Sequence, residues 1–406
     1  MNYIKKLLEP YRGLPKEIYI IFISKIINAM GCFVGPLMTL ILTQKVGLSK
    51  EVAGIYISIQ GLLYMPTGLI GGKLADTIGR KKMILIFESL SCVLYIICGL
   101  MKPTVAMVYV LMAASAVMGF AGPAHDSIIA DLTEPKNRNA AYALNYMGWN
   151  IGFAVGPIFG GILFENNLPW VFIGDALTAI ISLILISLFV KETIHLTKEN
   201  IVDEKREAEK IQEGSIFKVL WNRKILLYFA FLAFGYNFVY SQWGFMLPMQ
   251  VSDIYGSFGA KYYGYLASFN GIVVMFMTPF ITKILNDTEN LTSIFYGGLF
   301  YAVGFGMLAF VSTMPIFMVA VFIFTLGEIV LSISIMPFIA NHTPISHRGR
   351  MSGVLPLVMG LGYTFSPMIM GKALMYINIQ KSWIIMGVIA LISALFMKAL
   401  KKLETV

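Results

Sequence analysis

Apolar runs of about twenty residues alternate with short polar turns along this chain, and a helix needs about 20 residues to cross a hydrocarbon core. Twelve runs read as spans: 18–43, 52–72, 83–101, 104–130, 140–164, 169–190, 225–250, 262–285, 292–312, 315–339, 350–375 and 382–399. The pattern predicts an all-α integral membrane protein with twelve transmembrane helices. Composition agrees: 13% of residues are charged and mean hydropathy is +0.75, whereas soluble domains carry about 25% charge.

The turns also carry a sidedness. With twelve spans the two termini lie on one face, and that face collects 24 of the basic residues against six on the other. Cytoplasmic turns are the basic ones, so both termini are expected in the cytoplasm and the chain as a multi-pass protein of the cell (plasma or inner) membrane. Only residues 191–224 form a long polar segment. Lys198–Gln212 within it is dense in Glu and Lys and suits a surface helix. The segment reads as a cytoplasmic linker between an N-terminal six-helix half, 1–190, and a C-terminal six-helix half, 225–406.

The halves repeat at an offset of 210 residues. Gly54, Gly61 and Met65 match Gly264, Gly271 and Met275; Thr133 and Arg138 match Thr343 and Arg348; Gly152, Pro157 and Gly161 match Gly362, Pro367 and Gly371. Repeats of this kind build transporters, with the substrate site between them.

Several functions lack their residues. The three cysteines (Cys32, Cys92, Cys98) all fall in spans, with no zinc or disulfide spacing. No phosphate-cradling G-x-x-x-x-G-K loop and no H-E-x-x-H occur. No enzyme activity, cofactor or metal is therefore expected. The net charge of +9 resides in turns beside lipid, so nucleic acid is not an expected partner. The first apolar run is too long for a signal-peptide core. The expected partners are the bilayer, a small-molecule substrate and protons, with the monomer as the working unit.

The turn between spans 2 and 3 reads Gly71-Gly72-Lys73-Leu74-Ala75-Asp76-Thr77-Ile78-Gly79-Arg80-Lys81-Lys82. Its two leading glycines suit a tight reversal, and Asp76 can pair with Arg80 or with a helix N-terminus. This turn closely resembles the signature loop of the major facilitator superfamily (MFS), G-x-L-A-D-R-x-G-R-K, with Gly72, Asp76, Gly79, Arg80 and Lys81 in place and Thr77 where a basic residue is usual. The resemblance implies two pseudo-symmetric six-helix halves, a cavity lined by spans 1, 4, 7 and 10, and a cytoplasmic gating cluster that Asp131, at the end of span 4, joins.

Span 5 carries Gly152-Phe153-Ala154-Val155-Gly156-Pro157-Ile158-Phe159-Gly160-Gly161. Glycines four apart let helices approach closely, and Pro157 invites a bend. The run resembles the G-x-x-x-G-P-x-x-G-G signature of MFS drug/proton antiporters. These usually have a span-4 arginine four residues before a glycine; here Ser115 precedes Gly119.

Other titratable groups stand in its place. An ionised carboxylate at the centre of span 10, Glu328, costs about 2.5–3.5 kcal/mol, so it should be paired or protonated part of the time. It is the first candidate for proton coupling, with Asp126 second; Asp126 and Asp131 are also readable as interfacial residues. Lys25 is open to two readings, snorkelling and anion binding. Glu88 and Asp175 lie on helices that the resemblance puts outside the cavity and are read as structural. Asn28, Asn145, Trp149, Tyr236, Asn237, Tyr240 and Trp243 are the candidate cavity residues, Tyr236, Tyr240 and Trp243 sharing one helical face. Aromatics with polar tips suit a roomy apolar pocket, and with a carboxylate they suit an amphipathic cation.

Two functions remain open. One is proton-coupled efflux of small amphipathic compounds or drugs by alternating access. The other is transport of a defined metabolite such as a sugar, peptide or amino acid. A receptor without flux would need a folded polar domain or long tail, which the sequence lacks.

Overall fold

The structure, a computed structural model, describes residues 11–195, 224–285, 288–342 and 348–404. Every regular element among them is helical. Ten stretches are long and apolar enough to cross a membrane, one of them the 62-residue Lys224–Leu285. Leu69, Leu188, Phe231 and Ile284 expose most of their side chains. Exposed apolar side chains of this size suit hydrocarbon rather than water.

The described residues sort into two compact units. The first holds residues 11–47, 59–195 and 260–271; the second holds 48–58, 224–259 and 272–404. The linker helix expected at Lys198–Gln212 lies outside the described residues.

The first unit opens with α1 (Lys16–Met30) and α2 (Val34–Leu40), the latter running into a π turn at Ile41–Lys45. An unbroken span over 18–43 is the expectation, and the structure corrects it. The helix stops at Gly31, and Asp175 Oδ2 accepts the freed N–H groups of Phe33 (3.2 Å) and Val34 (3.1 Å) at the start of α2. Helix starts leave such donors orphaned, and Pro36 in the first turn of α2 has no donor to lose. Then follow α3 (Lys50–Ile78), whose residues up to 58 belong to the second unit, α4 (Arg80–Leu100), α5 (Val105–Asp131), α6 (Pro135–Phe153), α7 (Gly156–Phe164) and α8 (Leu168–Phe189). Helix α4 packs on α5 and α8, and α1 on α6 and α8.

The second unit contains α9 (Lys224–Tyr240), α10 (Gln242–Tyr255), a 3-10 turn at Gly256–Phe258, α11 (Gly259–Leu285) apart from its residues 260–271, α12 (Asn290–Met307), α13 (Met314–His342), α14 (Arg348–Ala373) and α15 (Ile379–Glu404). Here α12 packs on α13 and α15, and α9 on α14 and α15. The same pairing scheme therefore appears in both units.

The sequence repeat returns as backbone contacts. A Cβ added to Gly264 would lie 2.3 Å from the Pro157 carbonyl oxygen; one added to Gly54 would lie 2.1 Å from that of Pro367. Gly161 meets the Ala260 carbonyl and Gly371 the Lys50 carbonyl, each at 2.5 Å. All of these pairs are related by the offset of 210. Only glycine admits such approach, which is why these positions survive in both copies of the repeat.

Candidate functional site

The basic turn is mostly helix. Gly71 and Gly72 lie inside α3, which continues to Ile78, and the chain reverses at Gly79 alone. Gly79 has φ of 117°, a conformation that side chains rarely adopt, and a Cβ there would also strike Glu192 at 2.5 Å. Gly71 rather than Gly72 makes the close approach, to the Phe120 carbonyl of α5 at 2.3 Å; Gly72 is in ordinary contact with Pro123.

Arg80 starts α4 and is 5% exposed. Its guanidinium donates to Asp76 Oδ1 (2.8 Å) and the Ala75 carbonyl (2.8 Å), and Nε lies 3.1 Å from Asp131 Oδ2. Thr193 Oγ1 donates to the same Asp131 oxygen at 2.8 Å. The sequence reading missed Glu192. Its carboxylate accepts the first N–H groups of α4, from Arg80 (2.8 Å), Lys81 (3.4 Å) and Lys82 (3.3 Å), as an anion at a helix start does. Burial opposes ionisation of Glu192, but the N–H donors of Lys82, Thr193, Arg80 and Lys81 outweigh it and hold the carboxyl below the ordinary carboxylate range. The Lys81 ammonium bonds the Ser187 carbonyl at 2.7 Å.

Exposure ranks the two aspartates of this cluster. The Asp131 side chain is 10% exposed and that of Asp76 is 67%. Breaking a buried ion pair costs about 3–5 kcal/mol, whereas exposed pairs contribute about 1 kcal/mol or less. Asp131→Asn should therefore lower the thermal midpoint of purified protein clearly, and Asp76→Asn barely, although Asp76→Asn should impair transport by weakening the clasp on Arg80. Equal midpoints for the two variants would refute this ranking.

Span 5 supplies a stripe of close contacts. Added Cβ atoms would sit 2.9 Å from Phe22 at Gly148, 2.4 Å from the Ile26 carbonyl at Gly152, 2.8 Å from the Ala29 carbonyl at Gly156 and 3.1 Å from Phe33 at Gly160. Four glycines at a spacing of four thus seat α6 and α7 against the first span. Gly148 precedes the expected motif but belongs to the same stripe. The bend falls at Ala154–Val155, just ahead of Pro157 in the first turn of α7.

Glu328 stands at the midpoint of α13, roughly 21 Å of helix from either end. It lines a cavity of about 240 Å³ with Tyr236, Asn237, Tyr240, Tyr301, Ser332 and Met336 among its walls. Tyr240 and Glu328 share a side-chain hydrogen bond. Tyr301 stacks on Tyr240 (5.8 Å between centroids) and meets Tyr236 edge-on (6.2 Å). Three of the expected residues, Tyr236, Asn237 and Tyr240, are therefore brought to Glu328. Trp243 is not. The helix breaks at Ser241, between α9 and α10, and Trp243 packs edge-on against Phe324 at 5.2 Å, 7% exposed. The cavity gains two residues that the sequence reading missed: Tyr301, which carries no signal in its own span, and Ser332, for which the i+4 spacing from Glu328 is the available signal.

In the first unit, the Lys25 ammonium lies 5.1 Å from the centre of the Trp149 ring. This is a cation–π contact. Asn28 and Asn145 are half-buried on the same two packed helices. Ser115, at the position of the antiporters' arginine, accepts a hydrogen bond from Gln60. Asp126 is exposed, and its backbone carbonyl accepts the Tyr142 hydroxyl at 2.9 Å. Among the described residues no group of His, Cys, Asp and Glu could hold a metal ion.

A family model described as Major Facilitator Superfamily matches residues 21–355 and again 291–405. The chain belongs to the major facilitator superfamily. Its relatives within the superfamily are distant. A Na(+), Li(+), K(+)/H(+) antiporter of Planococcus maritimus is 23% identical over 84% of this chain and 85% of its own length. The multidrug resistance protein MdtH of Edwardsiella ictaluri is 27% identical over 60% of this chain and 58% of its own. A crystal structure of peptide transporter POT in complex with sulfate superposes with a TM-score of 0.79, at 16% identity, over 97% of this chain and 95% of that one. At that identity the likeness concerns the fold. The superfamily consists of transporters, not enzymes, and this member is a multi-pass membrane protein that carries a small-molecule substrate.

Proposed function

We propose that this chain is a proton-coupled exporter of small amphipathic cations, working by alternating access between its halves 1–190 and 225–406 through the linker 191–224. The observation that carries the reading is the carboxylate of Glu328 in a cavity walled by Tyr236, Tyr240 and Tyr301. Tyrosine faces attract a cation, and a carboxylate there is its counter-charge. A carboxylate midway along an apolar helix is costly when ionised. Cation and proton therefore compete for one group, which is the elementary requirement of exchange. A proton entering from outside neutralises Glu328 and releases the substrate; its loss to the cytoplasm resets the site. The names of the antiporter and multidrug relatives support this class. In this reading both termini lie in the cytoplasm, the bilayer is the cell membrane, and one chain suffices.

The test is flux in proteoliposomes with an imposed pH gradient, using a panel of cationic dyes beside sugars, peptides and amino acids. Dye accumulation that follows the pH gradient supports the proposal. Gradient-driven movement of a metabolite alone would replace it with the defined-metabolite reading, which the fold shared with peptide transporters accommodates.

A further inference from the structure

The family resemblance reads Glu88 as structural, because it puts that helix outside the cavity. Its surroundings argue otherwise. Glu88 on α4 is 5% exposed, and its Oε1 lies 2.5 Å from Nε2 of His125 on α5. Its other oxygen, Oε2, is buried and has no hydrogen-bond partner among the described residues. His125 is six residues from the end of α5, so the pair sits roughly 9 Å, or two turns, inward from the Arg80–Asp131 cluster. We propose that Glu88 and His125 form a second proton-exchange site, in the first unit and separate from Glu328. The proposal rests on the proton-coupled reading of transport.

The chemistry of the pair suits loading and unloading of one proton. With the proton present, either the carboxylic acid donates to neutral imidazole or imidazolium donates to carboxylate. Both forms keep the Oε1–Nε2 hydrogen bond and are neutral as a pair. With the proton gone, the Nε2–H tautomer of neutral imidazole still donates to the carboxylate. One bond thus survives in every state, and only the net charge changes, from zero to minus one. A carboxylate fixed for packing alone would be expected to have both oxygens satisfied, since an orphaned charged oxygen is costly.

The neighbours supply a route rather than a competing partner. On α3, Tyr64 lies within electrostatic reach of Glu88 and of Asp126. On α4 itself, Cys92 feels Glu88 and, from α8, Asp175. Asp175 is already engaged by the backbone of α2. On α6, Tyr142 holds the Asp126 carbonyl. Side-chain exposure climbs from Glu88 (7%) to His125 (21%), and Asp126 next in sequence is exposed. A proton taken from water at Asp126 and His125 reaches Glu88 over one hydrogen bond and leaves by the same bond or after the helices move.

Infrared difference spectroscopy of the purified full-length protein across pH steps reads the pair without transport. Wild type should show a carboxylic-acid band that titrates. Glu88→Gln should lose that band, and His125→Gln should keep it but move it along the pH axis, because the charge partner is gone. Glu88→Asp keeps a titrating carboxyl at a shifted pH and serves if the amide variant folds poorly. The band must persist in Glu328→Gln, so failure of pH-driven flux there tests the transport reading alone. A band spectrum unchanged by Glu88→Gln, or unmoved by His125→Gln, overturns the second site.

Discussion

Glu328→Gln should abolish concentrative transport while leaving the protein folded. Glutamine preserves the volume and hydrogen-bonding reach of the side chain at the midpoint of α13, so the Tyr236–Tyr240–Tyr301 wall stays in place. It cannot take up or lose a proton. One pH unit across the vesicle is worth about 1.4 kcal/mol per proton, or about tenfold in substrate ratio. Wild-type vesicles should therefore accumulate a transported cationic dye about tenfold per coupled proton in such a gradient, and Glu328→Gln vesicles should only equilibrate it. Binding of cationic dyes should also weaken, since their counter-charge is removed, while a neutral substrate still passes down its gradient. Accumulation equal to wild type at equal protein level would make Glu328 a packing residue and leave Asp126 as the next candidate.

Gly152→Leu should cost more stability than any other single change in the span-5 stripe. Its first added atom would sit 2.4 Å from the Ile26 carbonyl oxygen and 2.5 Å from the Ala29 Cβ. Neither atom belongs to the far end of a flexible side chain, so α1 and α6 must separate. Overpacking typically costs 1–3 kcal/mol, and forcing backbones apart should reach or exceed the top of that range. The matched control is Gly244→Ala in α10, where an added Cβ meets nothing within 4 Å. That change should be neutral or stabilise by up to about 1 kcal/mol, because alanine has less backbone entropy to lose. Thermal midpoints and monodispersity in detergent check both. A Gly152→Leu protein as stable as wild type would mean that the stripe does not hold α6 to the first span.

The loop cluster shows where sequence reasoning stops. Asp76 and Arg80 are four residues apart, so their pairing is a local event on adjoining helix ends. Asp131 entered only through family resemblance, because its partner is 51 positions away in the chain. Glu192, which caps α4 from 112 residues beyond Arg80, left no mark in composition or spacing. The same limit holds for Glu88, whose contact with His125, 37 residues on in the chain, joins two helices, and for the one-residue interruption at Ser241 ahead of Trp243.

The sequence by itself determined that the chain is helical and lives in a membrane, that its halves match at an offset of 210 residues, and that a carboxylate stands mid-helix at Glu328. These follow from the cost of exposing apolar runs to water and of placing charge in hydrocarbon, which act on each segment separately. Tertiary structure alone decided which tyrosines reach Glu328, which glycines meet a neighbouring backbone, and which buried acid finds a histidine. Those outcomes depend on how one helix face is set against another over a few ångströms, and nothing within a single segment's periodicity encodes its partner.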